Sequence, residues 1–215
     1  MMKQNLLISF EGIDFSGKST QIDLLCDYFT RQKQSFVVLR EPGGTTIGER
    51  IRALLLDPAL AEMTAETELC LYSAARAQLV REKISPALAD GKHVVLDRFY
   101  DSTTAYQGYG RQLSLEAIDN LTHVAVGGVH PDLSIYLELS EAAMYRRKVM
   151  AGRSDDRLEA NSAAFFARVS AGYKKIAKKH KDRFTVIDAT QERRVIHDEI
   201  VAVIEAKIAG GNIVA

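Results

Sequence analysis

Residues Gly12 to Ser19 read Gly-Ile-Asp-Phe-Ser-Gly-Lys-Ser: two glycines, with a lysine and a hydroxyl directly after the second. Glycines let a backbone fold around an anion with several N–H groups pointing inward. An apolar run, Leu6–Phe10, precedes this turn and reads as a buried strand. Ile22, Leu24, Leu25, Tyr28 and Phe29 follow it at helical spacing. Strand, glycine-rich turn and helix form the context that G-x-x-x-x-G-K-[ST] requires, so the segment is identified as a phosphate-binding loop. The helix N-terminus behind it adds partial positive charge. Lys18 can reach the β- and γ-phosphates of a nucleotide, and the Ser19 hydroxyl can ligate Mg²⁺.

Four further segments carry residues that could act on a nucleotide. Val94-Val95-Leu96-Asp97-Arg98 is a strand ending in Asp-Arg. Asp97 can hold a water on Mg²⁺ or cap the next helix, and Arg98 can clamp a phosphate with its planar fork of donors. Arg40-Glu41-Pro42-Gly43-Gly44-Thr45 makes a sharp turn after the second strand, readable as a binding loop or as an ordinary strand-to-helix turn. Tyr72 and Arg76 lie four apart on one helix face, where they could stack on and hydrogen-bond a base, or be a core tyrosine and a surface ion pair. Gly152-Arg153-Ser154-Asp155-Asp156-Arg157 suits either a mobile lid closing over phosphates or a solvated loop.

The elements that must position these residues alternate. Strand-like runs at Leu6–Phe10, Phe36–Leu39, His93–Leu96, Leu133–Leu139 and Phe184–Ile187 are separated by helical patterns. The longest helical pattern spans Thr64–Ala89; others cover Leu115–Val126, Ala142–Met150, Ala160–Lys179 and Arg193–Ile208. Alternation of this kind predicts an α/β fold, a parallel sheet with helices on both faces and ligands at the strands' C-terminal ends. With 47% hydrophobic and 26% charged residues the chain reads as a globular domain, and a formal net charge of zero argues against a protein built to coat nucleic acid. Cys26 and Cys70 read as reduced core residues, and the five histidines show no metal-ligand spacing. Neither a membrane span nor a signal-peptide plan is apparent, which predicts a cytoplasmic protein. The Lys-rich stretch 174–181 reads as a solvated helix face.

Together these segments resemble the thymidylate kinase family of P-loop nucleoside monophosphate kinases, over nearly the whole chain. The resemblance is carried by Phe10-Glu11-Gly12 through Thr20, Arg40–Thr45, Tyr72–Gln78, Asp97-Arg98-Phe99, Asp101-Ser102-Thr103-Thr104-Ala105-Tyr106-Gln107 and Pro131-Asp132-Leu133. It implies the P-loop NTPase fold: a five-stranded parallel sheet and a short lid segment at about 150–160, all in one domain spanning 1–215. It implies transfer of the γ-phosphoryl of ATP to dTMP with Mg²⁺ as cofactor. ATP would be held by Gly12, Ile13, Asp14, Phe15, Ser16, Gly17, Lys18, Ser19 and Thr20, with the metal at Ser19 and Asp97. Arg40 would wall the acceptor phosphate and Arg98 would align it. Tyr72 would stack on thymine, while Arg76, Thr103 and Gln107 read its edge. Tyr106 would pack where a ribose 2′-hydroxyl would sit, and Asp14 would lie near the acceptor sugar hydroxyl.

Eukaryotic-type members place an arginine inside the P-loop, at the position of Phe15; bacterial-type members supply it from the lid. The resemblance therefore gives the charge-stabilising task to Arg153, with Arg157 beside it, and makes the chain bacterial-type. Phe15 departs from the small residue usual there. The resemblance also makes a cis peptide bond at Pro42 an expectation. Family members are homodimers, and the helix from Thr64 to Ala89 carries more apolar positions than one core face needs. Rival readings are another monophosphate or deoxynucleoside kinase on the same fold, or a non-enzymatic nucleotide binder.

Overall fold

The computed structural model describes residues 5–152 and 156–210. Each apolar run becomes a parallel strand: β1 (Leu7–Glu11), β2 (Phe36–Arg40), β3 (His93–Asp97), β4 (Leu133–Glu138) and β5 (Phe184–Asp188). They form one sheet in the order β2-β3-β1-β4-β5. The chain first winds outward to β2 and β3 on one side of β1, then crosses to β4 and β5 on the other. The crevice at this switch point, beside the end of β1, is where ligands bind in open α/β sheets. Because β1 is central and covered on both faces, all five of its residues are buried, which is why it reads as an unbroken apolar run rather than an alternating one.

The connections are helical: α1 (Lys18–Arg31), α2 (Thr46–Leu56), α3 (Ala65–Leu79), α4 (Ser85–Ala89), α5 (Tyr100–Thr103), α6 (Leu115–Val126), α7 (Glu141–Ala151), α8 (Ala163–Lys179) and α9 (Arg193–Gly210). Alternate strand residues face opposite sides of the sheet. Ile8, Phe10, Val95, Ile135 and Leu137 pack with α1, α7, α8 and α9 in the larger core. Leu7, Val94 and Leu96 pack with the end of α3, α4 and Val126 in the smaller one.

The structure departs from the sequence reading in definite places. The run from Thr64 to Ala89 is not one α-helix: a π-helical turn, Val80–Ile84, separates α3 from α4. Pro86 stands in the first turn of α4 and has no N–H to donate, so the ladder loosens just ahead of it. A second π-helical turn, Thr104–Gly110, follows α5. Helix α8 begins at Ala163 rather than Ala160, because the Ser162 side chain accepts from the Phe165 N–H and caps it. Cys70 is exposed, not in the core, and Cys26 is half-buried. The inward face of α3 is taken by Leu69, Ser73, Arg76 and Leu79, which rotates Cys70 outward. The Glu41–Pro42 peptide is cis.

Candidate active site

The P-loop takes its shape from the C-terminal end of β1. Gly12 has φ 135°, and a Cβ there would lie 2.7 Å from the Leu137 carbonyl oxygen, so both its conformation and its closeness to β4 require glycine. Gly17 caps α1 in the left-handed region with no side-chain cap, which leaves the first-turn N–H groups for an anion. Lys18 is buried and donates through Nζ to the Gly12 and Ile13 carbonyls, both at 3.2 Å. Burial, reinforced by the Arg98 charge, lowers its pKa to about 8 against the pull of Asp97, Asp14 and Glu11. Ser19 and Thr20 are exposed on the first turn of α1. Phe15 has φ 61°. Its ring packs against the larger core and its carbonyl oxygen accepts from Arg147 Nη1 at 3.0 Å, so the loop accommodates phenylalanine by turning it inward.

Arg98 follows β3 and also has a left-handed backbone, φ 69°. Its backbone N–H bonds the Phe10 carbonyl at 3.0 Å. Nη1 donates to the Gly12 carbonyl at 2.7 Å, and Nη2 to Asp14 Oδ1 at 2.7 Å. Burial would raise the Asp14 carboxyl, but the charges of Arg98 and Lys18 and the hydrogen bonds from Arg98 and Tyr106 hold it below the ordinary carboxylate range. Behind Arg98 lies Glu11, wholly buried at the end of β1. It accepts from the Phe99 N–H at 2.9 Å, from Ser102 Oγ at 2.6 Å and from the Tyr173 hydroxyl at 3.3 Å. Burial and the neighbouring Asp101 charge nevertheless push its pKa up to about 8.

A cleft opens beside Arg98. Tyr72, Arg76, Thr103, Tyr106 and Gln107 line it together with Asp14 and Arg98, so the residues expected at the base and the acceptor phosphate do come together. Arg76 is fully buried: Nε donates to Glu41 Oε2 and Nη2 to Thr103 Oγ1, each at 2.8 Å. The ring of Tyr106 lies under the Arg98 guanidinium, 5.1 Å away, and its hydroxyl reaches Asp14 Oδ2 at 3.4 Å. Arg40 is not among the lining residues. Its side chain is 46% exposed and is paired with Glu49 at 2.8 Å.

A thymidylate kinase family model matches residues 10–200. The chain belongs to the thymidylate kinase family. Curated thymidylate kinases from Chlorobium chlorochromatii (44% identical over 213 residues; 94% of this chain, 96% of the relative) and from a Thermoanaerobacter species (46% over 199 residues; 92% and 96%) are similar to it along nearly their whole lengths. The crystal structure of an Ehrlichia chaffeensis thymidylate kinase is similar in fold, with TM-score 0.73 at 31% identity, covering 93% of this chain and 98% of that one. The chain is accordingly a dTMP kinase, a phosphotransferase that makes dTDP from dTMP and ATP.

Against that family background two further residues stand out. Arg52, on the inner side of α2, lines the cleft, as Arg40 does not, and donates to the Pro42 carbonyl at 2.9 Å. Glu41 anchors Arg76 from the turn itself. Sequence reasoning passes over both, since neither a helix arginine nor a pre-proline glutamate is distinguished by type or spacing. Arg153 lies outside the described residues. Arg157 is buried, with Nε on the Leu55 carbonyl at 2.8 Å and Nη2 on Glu68 at 2.6 Å. In this arrangement it ties the segment before α8 to α2 and α3.

Proposed function

We propose that the P-loop, Gly12–Thr20, holds the ATP phosphates, that the cleft holds dTMP, and that Arg98 aligns the acceptor between them. The observation that carries this is the placement of Arg98, bonded to Gly12 and Asp14 on the donor side while lining the cleft on the other. An oxygen of the dTMP phosphate attacks the γ-phosphorus in line, the bond to the β–γ bridging oxygen breaks, and ADP leaves. Such transfer needs positioning and charge stabilisation more than covalent help. Lys18 supplies charge to the transferring group, and Arg153 is the lid residue that completes it, with Arg157 holding the lid's base.

Tyr72 stacks on the base, while Arg76, Thr103 and Gln107 meet its edge. Tyr106 fills the place of a 2′-hydroxyl, Asp14 receives the sugar hydroxyl, and Arg40 and Arg52 wall the phosphate. Ser19 and Asp97 would hold Mg²⁺, which neutralises phosphate charge when bound. In support, Asp97 Oδ1 is buried with no hydrogen-bond partner among the described residues, the kind of acceptor that a metal-bound water satisfies. The whole chain works as one catalytic domain in the cytoplasm, without a nucleic-acid partner, as a homodimer. Among the described residues no helix is long and apolar enough to cross a membrane.

The test is ADP release from Mg·ATP with a panel of nucleoside monophosphates in a coupled assay. Fast turnover of dTMP, slower turnover of dUMP, and much slower turnover of the cytidine and purine monophosphates is expected. Preference for another base would overturn the roles of Tyr72, Arg76, Thr103 and Gln107.

A further inference from the structure

Glu68, on the inward face of α3, is wholly buried yet absent from the cleft lining. Its Oε1 accepts from Gln107 Nε2 at 2.8 Å and from Arg111 Nε at 3.2 Å. Its Oε2 accepts from Arg111 Nη2 at 3.1 Å and from Arg157 Nη2 at 2.6 Å. Burial would raise this carboxyl, but those donors hold it below the ordinary range, so it is an ionised group that can only accept. Gln107 must therefore present its amide nitrogen to Glu68. Its carbonyl oxygen, Oε1, is what remains for the cleft that this 1%-exposed side chain lines, and no hydrogen bond from the described residues reaches it. Arg76, in the same cleft, spends Nε on Glu41 and Nη2 on Thr103, while its buried Nη1 has no partner among the described residues.

Arg76 Nη1 is thus an unspent donor and Gln107 Oε1 an unspent acceptor in the cleft; Glu41 Oε1, beside Arg76 at the turn after β2, is a second acceptor without a partner among the described residues. A 4-oxo pyrimidine carries the complementary pair, a C4 carbonyl that accepts next to an N3–H that donates. A 4-amino pyrimidine reverses both. We infer that Glu68 is a specificity-positioning residue: by occupying the amide nitrogen of Gln107 it fixes an acceptor opposite N3 and makes the kinase select 4-oxo over 4-amino pyrimidine monophosphates. This rests on the reading that Gln107 meets the base edge. It leaves thymine and uracil alike, since they share that edge.

The experiment measures kcat/KM for dTMP, dUMP and dCMP on the full-length kinase and its variants. In Glu68→Gln the new amide can donate as well as accept, so Gln107 is free to turn over. The dTMP:dCMP ratio is expected to fall about tenfold or more, the scale of one buried group gaining or losing its partner. The dTMP:dUMP ratio should stay within about twofold, because neither base loses its match relative to the other. A merely structural role, acting through the Arg157 contact, would lower all three rates together and keep the ratios; that outcome in a folded Glu68→Gln overturns the inference. If Glu68→Gln does not fold, Glu68→Asp decides by the same ratio, because it keeps a charge for both arginines while drawing back from Gln107. Gln107→Leu separates the two levels. An unchanged dTMP:dCMP ratio there removes Gln107 from the base edge, and the site reading fails with the inference. A fall there without a fall in the Glu68 variants overturns the role of Glu68 alone.

Discussion

Arg98 is held in a left-handed backbone conformation that costs a non-glycine residue about 1–3 kcal/mol, and strain of this kind collects at functional sites. The backbone bond to Phe10 and the guanidinium bonds to Gly12 and Asp14 offset it. Arg98→Ala should therefore raise KM for dTMP and lower kcat together, with kcat/KM down about a hundredfold, the scale of a misplaced reactant. Normal dTMP kinetics in that variant would remove Arg98 from the site. Glu11 gives a pH signature. In the folded chain it keeps its proton up to about pH 8, whereas the unfolded chain loses it near 4.5. Between those values the unfolded state binds fewer protons, so the stability this group contributes is complete below 4.5 and is lost as pH rises towards about 8. Urea midpoints of Glu11→Gln across that window should decline less steeply than those of the parent; parallel slopes would show that Glu11 is ionised throughout. None of this is legible from Glu11 in the sequence, where it is one acidic residue closing an apolar run.

At the scale of elements, α2 couples the turn after β2 to the cleft, since it carries Arg52. Thr45 caps it, accepting from the Gly48 N–H at 2.9 Å. Thr45→Ala should cost about 1 kcal/mol in urea denaturation and, by fraying the first turn, raise KM for dTMP. The connection between α7 and α8 should divide its two arginines by kinetics. Arg153→Ala is expected to lower kcat by about 10³–10⁵ with little change in KM. Arg157→Ala should instead destabilise by about 1–3 kcal/mol, because it takes one charged donor from the buried Glu68, which keeps Arg111 and Gln107, and removes the side-chain partner of the Leu55 carbonyl. If Arg157→Ala takes kcat and Arg153→Ala does not, the two assignments exchange. Strand and helix order was readable because short apolar runs and a period near four survive in the sequence. The π-helical turns were not, since a one-residue shift in hydrogen bonding leaves that pattern nearly intact.

For the whole molecule, α3 lies between α2 and α6 and presents Cys70 and Ala74 to solvent one turn apart, with Leu71 and Ala77 half-exposed beside them. This is the outward counterpart of the apolar excess seen in the sequence. Sedimentation should give twice the monomer mass, and Ala74→Glu should shift it to the monomer; an unshifted dimer would move the interface to another face. What the sequence by itself determined were the local features: the P-loop, the Asp97-Arg98 strand end, the alternation that makes a parallel sheet, and those cleft-lining residues that share a helix or one short segment. These are written in neighbouring residues. Only the tertiary structure decided that Arg52 rather than Arg40 lines the cleft, that Arg157 turns onto Glu68, that Cys70 faces outward, and that Glu68 fixes the amide of Gln107. Each depends on which side chains meet across elements 39 to 102 residues apart, or on how one helix is rotated against the sheet. Local periodicity fixes neither, because burial and hydrogen-bond satisfaction are settled only when the layers pack.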